Sequence, residues 1–338
     1  VKKAYTFDDV ALVPQFNNVP SRTAPVLESW LTKSRKIAIP LLASNMDTVM
    51  GEELADLLIQ QGSVPIFHRF TDLSKQEAWV RKYGASSFIS CGLHQIDQAR
   101  ALLDLGAAGV CIDVAHGHSD RMLAAIRELK RTHPEKELIA GNVCTAMAYH
   151  DLVNAGADAV KVGIGPGAAC ITRVVTGFGV PQFSAIQECA VVAARLRVPL
   201  IADGGIREPR DLVLALAAGA STVMMGKLFA LTKESAAPKR ASAVAPSGYE
   251  AKYRGQASED FQNEFYGGLK EKTSAEGIDF WAPVSGSAVD LINKFLGSLR
   301  SGLTYGGARD IKELQRKAEF VEVNSSYSTE SFPRSSEK

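Results

Sequence analysis

The segment Gly163-Ile164-Gly165-Pro166-Gly167-Ala168-Ala169-Cys170-Ile171-Thr172-Arg173 sets one thiol at the end of a glycine-rich turn, directly after the apolar run Ala159 to Ile164. Glycine permits backbone conformations and close approaches that other residues forbid, so such a turn can aim several amides or carbonyls at one ligand or ion. A cysteine held there suits covalent catalysis, with Thr172 two residues on as a proton carrier. A buried structural thiol beside an ordinary turn is the plainer alternative. The ordered Gly-x-Gly-x-Gly-x-x-Cys-x-Thr pattern favours chemistry over it.

What must position that loop is a repeated unit. Leu105 to Asp113, Asn154 to Gly163 and Ala217 to Gly226 each read as a helix end, a glycine cap and a buried strand. Eight candidate strands follow: Ile39–Ser44, Val64–His68, Phe88–Gly92, Gly109–Ala115, Leu138–Val143, Ala159–Ile164, Pro199–Asp203 and Thr222–Phe229. Helical stretches such as Asp120–Thr132 and Pro209–Ala218 separate them. Eight such units predict an α/β fold, a TIM (β/α)8 barrel of one domain over residues 1–338. A doubly wound sheet is the alternative, but no early Gly-x-Gly-x-x-Gly with a following ribose-binding acid supports it. A barrel places its chemistry at the carboxyl ends of the strands, and here polar residues or glycine follow nearly every apolar run.

Residues 232–285 break the pattern and read as a long lid insertion after strand eight, with Lys233–Gly248 as a mobile surface loop. Residues 324–338, rich in Ser and Glu, read as a disordered or arm-like C-terminal tail.

Composition narrows the function classes. A net charge of +1 makes no electrostatic case for nucleic acid or an anionic membrane, and no run is apolar enough to span a bilayer. The start of the chain lacks the order of a signal peptide, and five scattered cysteines fit reduced thiols in a cytoplasmic protein. Cys91, Cys111, Cys144 and Cys189 sit in apolar runs and read as core thiols, while His116 and His118 lack a third partner for a metal site.

Taken with Asp203-Gly204-Gly205-Ile206 and Tyr253-Arg254-Gly255, the cysteine loop resembles the inosine-monophosphate dehydrogenase/GMP reductase family. Asn45-Met46-Asp47-Thr48-Val49, Ile112 to Gly117, Ala140 to Val143 and Leu299 to Tyr305 extend the resemblance from Phe7 to Phe320. It implies a purine-nucleotide oxidoreductase, a homotetramer with a nicotinamide cofactor. The short lid without an Arg-Tyr pair, closing on Ala275-Glu276-Gly277, looks like the reductase branch, as does the absence of CBS regulatory modules between Gly84 and Phe88. That branch implies NADPH-dependent reductive deamination of GMP to IMP and ammonia through a Cys170 thioimidate. The alternative within the family is an IMP dehydrogenase without regulatory modules, making XMP from IMP with NAD and water.

By the same resemblance Cys170, Thr172 and Glu276 are catalytic. Asp203, Gly204, Gly205, Gly226, Lys227, Gly255, Gln256, Ala257 and Gly277 hold the nucleotide. Ser21, Arg22, Arg69, Asp113, Val114, Ala115, Ile164, Gly165, Ser301 and Thr304 face the cofactor, Ser301 and Thr304 from a neighbouring subunit. The carbonyls of Gly165, Gly167, Cys170 and Arg173 resemble a potassium site. Three departures stand out: Ala168 in place of a serine, Gln256-Ala257 in place of Met-Ser, and Lys272-Thr273 in place of Tyr-Arg. A flavin-dependent barrel, suggested by Asp203 to Arg207 and Gly219 to Gly226, and a nucleotide-binding regulator with a degenerate site are the readings from other classes.

Overall fold

The computed structural model describes residues 1–331. Its centre is an eight-stranded, all-parallel sheet. The strands are Leu41–Ala43, Ile66–Phe67, Phe88–Cys91, Gly109–Asp113, Glu137–Val143, Ala159–Val162, Leu200–Asp203 and Thr222–Met225, numbered one to eight here. The hydrogen-bonded order is one-eight-seven-six-five-four-three-two, so strand one pairs with strand eight and the sheet curls into a nearly closed TIM barrel. At the remaining seam Ser63, just before strand two, donates to Leu41 O at 2.6 Å. Helices such as Glu52–Gln60, Asp120–Thr132 and Gln182–Leu196 alternate with the strands.

Why these runs form a barrel follows from their two-residue period. Leu42, Ile66, Phe88, Cys111, Ile139, Ala159, Ile201 and Met224, one from each strand, form a separate buried cluster with Leu31, Ile37 and Val64. The intervening residues Leu41, Phe67, Ile89, Val110, Leu138, Val160, Leu200 and Val223 instead join the cluster beneath the helices. Two positions beyond the inner layer, toward the carboxyl end, stand Ser44, His68, Ser90, Asp113, Gly141, Lys161, Asp203 and Gly226. The barrel thus has an apolar plug capped by a polar layer.

Two expectations need correction. Strand eight ends at Met225 rather than Phe229, because Gly226 breaks it and Lys227–Ala230 is a helical turn. The stretch 233–248 is not a loose loop: Lys239–Ala241 pairs with Tyr249–Arg254, which pairs in turn with Asp279–Pro283. Leu231, Ala237, Ala251 and Val284 give this three-stranded sheet its own small core. The lid helix Glu259–Tyr266, capped by Ser258 Oγ, buries Phe261 edge-on against Phe70 at 4.6 Å.

The C-terminal arm begins with Phe320–Glu322, paired antiparallel to Val10–Leu12, and continues into a short helix at Ser326–Ser331. Of the expected disordered or arm-like tail of 324–338, the described part is arm-like and ends in this helix; positions 332–338 lie outside the described residues. Among the described residues no helix is long and apolar enough to cross a membrane.

Candidate active site

A cavity of about 380 Å³ opens at the carboxyl ends of the strands, where the polar layer faces the lid. Cys170, Thr172 and Glu276 all line it. The Cys170 thiol lies 3.2 Å from Thr172 Oγ1, and that hydroxyl donates to Glu276 Oε2 at 2.8 Å. Thiol, hydroxyl and carboxylate therefore form one hydrogen-bonded chain, the arrangement that general acid–base chemistry needs. Its geometry is set by backbone pairing. Ile171 N donates to Glu276 O and Ile278 N donates to Ala169 O, each at 2.9 Å, so lid residues 276–278 run as a short antiparallel strand beside the cysteine loop. Glu276 N closes the connection to Ala257 O at 3.0 Å.

The glycines have specific jobs. Gly163 has φ +153°, and a Cβ there would stand 2.1 Å from Asp203 O, so the cysteine loop can pass strand seven only without a side chain. At Gly226 a Cβ would stand 2.5 Å from the Tyr253 hydroxyl, closing the floor between strand eight and the lid.

Every residue expected to hold the nucleotide lines the cavity: Asp203, Gly204, Gly205, Gly226, Lys227, Gly255, Gln256, Ala257 and Gly277. Lys227 Nζ stands 5.5 Å above the Phe280 ring, and Gln256 Nε2 donates to Asn45 O at 3.3 Å. Of the residues expected to face the cofactor, Arg69, Asp113, Val114, Ala115, Ile164 and Gly165 line the same cavity. Arg69 Nε is buried without a partner, as is Asn142 Oδ1, so donor and acceptor capacity is left for a polar ligand. Ser21, Arg22, Ser301 and Thr304 do not line it. The segments that carry them are joined: Arg300, on helix Ala288–Tyr305, donates to Thr23 O at 3.3 Å and Pro25 O at 2.8 Å.

Gly165 and Gly167 line the cavity, and the carbonyls of Gly167 and Arg173 already accept one backbone bond each, from Cys170 N and Gly177 N. Each keeps a second lone pair, so an all-carbonyl donor set suited to a hard cation remains on this turn. Ala168 lines the cavity; Lys272 and Thr273 do not.

Of the other thiols, burial pushes Cys91 up to about 12 and raises Cys111 and Cys189 as well, so these are inert. His118 bonds Asp151 at 2.9 Å rather than sharing a ligand with His116.

Sequence reading missed two groups. Lys161 is 1% exposed, with Nζ 2.7 Å from Asp113 Oδ1 and 2.9 Å from Asp203 Oδ2. Its signal was a lone lysine inside an apolar strand. Arg254, 6% exposed, binds Asp47 from Nε at 2.9 Å and from Nη2 at 2.5 Å, and reaches Asp260 and Glu264 on the lid helix. It fastens the lid to the loop after strand one.

A parallel eight-stranded barrel with a cysteine on a glycine loop, hydrogen-bonded through a threonine to a lid carboxylate, and with glycine turns after strands seven and eight defines an α/β barrel with a thiol at the mouth of its cavity. Comparison with known proteins makes the class specific. The model of the "IMP dehydrogenase / GMP reductase domain" matches residues 4–334, and the chain belongs to that family. It is 44% identical over 261 residues to an inosine-5'-monophosphate dehydrogenase of Aquifex aeolicus, covering 75% of this chain and 52% of that protein, about half its length. A protein of the same name from Borreliella burgdorferi is 33% identical over 395 residues, covering 98% of this chain and 97% of its own. One from Cryptosporidium parvum is 32% identical over 379 residues, at 96% and 94% coverage.

Proposed function

We propose that the protein is an oxidoreductase acting at C2 of a purine 5'-nucleotide, with IMP oxidation as its main direction. The observation that carries the chemistry is the Cys170–Thr172–Glu276 relay at the mouth of a glycine-lined cavity. The direction is supported by the names of the relatives, two of which the chain matches over nearly their whole length.

On this reading the Cys170 thiolate adds to C2 of IMP, and the C2 hydrogen leaves with its electron pair as hydride, giving a thioimidate. A bound NAD supplies the hydride acceptor, and Arg69, Asp113, Val114 and Ala115 are the residues that would hold it. Water then adds to C2, its proton passing through Thr172 to Glu276, and the thiolate leaves as XMP forms. Asp203 accepts from the ribose hydroxyls, while Gly204, Gly205, Gly226 and Lys227 surround the 5'-phosphate. The carbonyls of Gly165, Gly167, Cys170 and Arg173 are the donors that would hold a potassium ion, an all-oxygen set suited to a hard cation. Residues 1–338 form one catalytic domain of a cytoplasmic homotetramer in which Ser21, Arg22, Ser301 and Thr304 reach a neighbour's cavity.

A second reading, NADPH-dependent GMP reduction, is favoured by the lid. Between Arg254 and Glu276 it has no Arg-Tyr pair of the kind the resemblance assigns to water activation in dehydrogenases. The same relay would then deliver a proton to departing ammonia. Absorbance at the nicotinamide band decides: IMP with NAD, with and without potassium, run beside GMP with NADPH. Faster NADH formation supports the first reading, faster NADPH loss the second, and full activity of Cys170→Ala in either refutes both.

A further inference from the structure

The buried ammonium of Lys161 stands between the two carboxylates of the polar layer, and no other cation lies within ion-pairing distance of either among the described residues. Asn45 Nδ2 donates to Asp113 Oδ2 and Asn142 Nδ2 donates to Asp203 Oδ2, each at 3.0 Å. Three of the four carboxylate oxygens are thereby fixed by the protein. Among the described residues Asp203 Oδ1 has no partner and is not buried, so it opens into the cavity that Asp203 lines.

The assignments of Asp203 to the nucleotide and Asp113 to the cofactor rest on the proposed function; the geometry does not. We propose that Lys161 is a positioning residue that couples the two halves of the site, holding both carboxylates in place on a single nitrogen. Strands four, six and seven supply Asp113, Lys161 and Asp203 at equivalent inward positions, two residues beyond Cys111, Ala159 and Ile201. Two carboxylates sharing one buried nitrogen cannot both stay charged once it is removed, because like charges at that range force one to keep a proton.

The surroundings offer little substitute. Cys111 and Cys91, on strands four and three, are held neutral by burial, as is the Tyr253 phenol from the lid. Cys170, on the loop after strand six, lines the same cavity as Asp203, and Arg69 acts on Asp113 only at longer range. Burial acts to raise Asp113, yet Lys161 first, with Arg69 and the Asn45 amide, offsets it and leaves this carboxyl below its ordinary value.

The test is Lys161→Met beside the double variant Lys161→Met/Asp113→Asn, measured first without ligand. In the single variant one carboxyl has a folded pKa above its unfolded value. Its stabilising proton is present at low pH and lost as pH rises, so the melting temperature falls against wild type between about pH 5 and 8. The double variant has no such pair, and its difference from wild type stays flat. In the second arm calorimetry with IMP at pH 7 should show about tenfold or greater weakening in Lys161→Met, mostly restored in the double variant because Asp203 alone can ionise. A single variant that folds at neither pH beside a folded double variant supports the same coupling. A double variant no more stable and no tighter for IMP than the single overturns it. If wild type binds neither IMP nor GMP, the proposed function falls, and the ligand-free arm still decides the role of Lys161.

Discussion

Replacing Arg254 with Met should loosen the lid without unfolding the barrel. The guanidinium is 6% exposed and meets three carboxylates, of which Asp47 is the most deeply held, with its side chain 11% exposed. Glu264 is 59% exposed and contributes little, because water screens it. The cost therefore comes mainly from stranding Asp47, and breaking one partner of a buried pair costs about 3 kcal/mol. Arg254 ends the central lid strand and binds the lid helix, so the loss is felt in residues 249–283. Hydrogen exchange of the Tyr249–Arg254 and Asp279–Pro283 ladder should speed up about a hundredfold, with the barrel strands unchanged. Burial already pushes the Asp47 carboxyl up despite Arg254. Without the guanidinium its folded pKa rises further above the unfolded value, so the deficit is larger at pH 8 than at pH 5.5. Adding Asp47→Asn should recover much of the loss. Unchanged lid exchange in Arg254→Met, or a double variant no better than the single, would refute the argument.

Three other perturbations follow from the same geometry. Glu276→Gln removes the end of the proton path and should lower turnover by about 10²–10⁴-fold while leaving Cys170 open to iodoacetamide, with mass spectrometry checking the thiol. Gly226→Ala puts a Cβ 2.5 Å from the Tyr253 hydroxyl and should weaken IMP binding at least about tenfold, with circular dichroism unchanged; native affinity in calorimetry would contradict the placement. His68 is pulled down to about 4 by burial and then by the charge of Lys75, so it favours the folded state above pH 6.5 and withdraws that support as pH falls toward 4. His68→Asn should shrink the stability difference between pH 7 and 4 by about 3 kcal/mol in urea titrations; an unaltered difference counts against a neutral buried imidazole.

The barrel was legible because each strand is a short apolar run after a glycine-capped helix, a local pattern that tertiary contacts reinforce. Cys170 and Thr172 were legible for a similar reason, since a loop of fixed spacing carries both. The lid was harder. Its core of Leu231, Ala237, Ala251 and Val284 uses small residues from distant positions, so alanine-rich sequence read as loop. Arg254 and Asp47 are 207 residues apart, and nothing local links them. Lys161 differs from both. It was legible in principle, because the period that puts Ala159 inside the barrel puts Lys161 in the layer above, level with Asp113 and Asp203. A lysine two positions beyond an inward alanine, flanked by aspartates at equivalent positions of other strands, is a signal that strand alignment supplies and single runs do not.

That alignment also explains why the direction of reaction is harder to read than the site. Thr172 and Glu276 connect to the sulfur through one hydroxyl, and a hydroxyl both donates and accepts. Under the proposed function the path would take a proton from water in the IMP reaction or give one to ammonia in the GMP reaction, with no change in geometry. Cys170, Asp203 and Lys161 are equally neutral between the two. Selection must come from whichever lid group meets the small molecule entering or leaving C2. In this chain the segment from Gly255 to Gly277 lines the cavity with Gln256, Ala257 and Glu276. Of these only Glu276 can act as a base. Swapping this segment for that of a dehydrogenase relative should therefore change the ratio of the two activities far more than any substitution on the barrel strands.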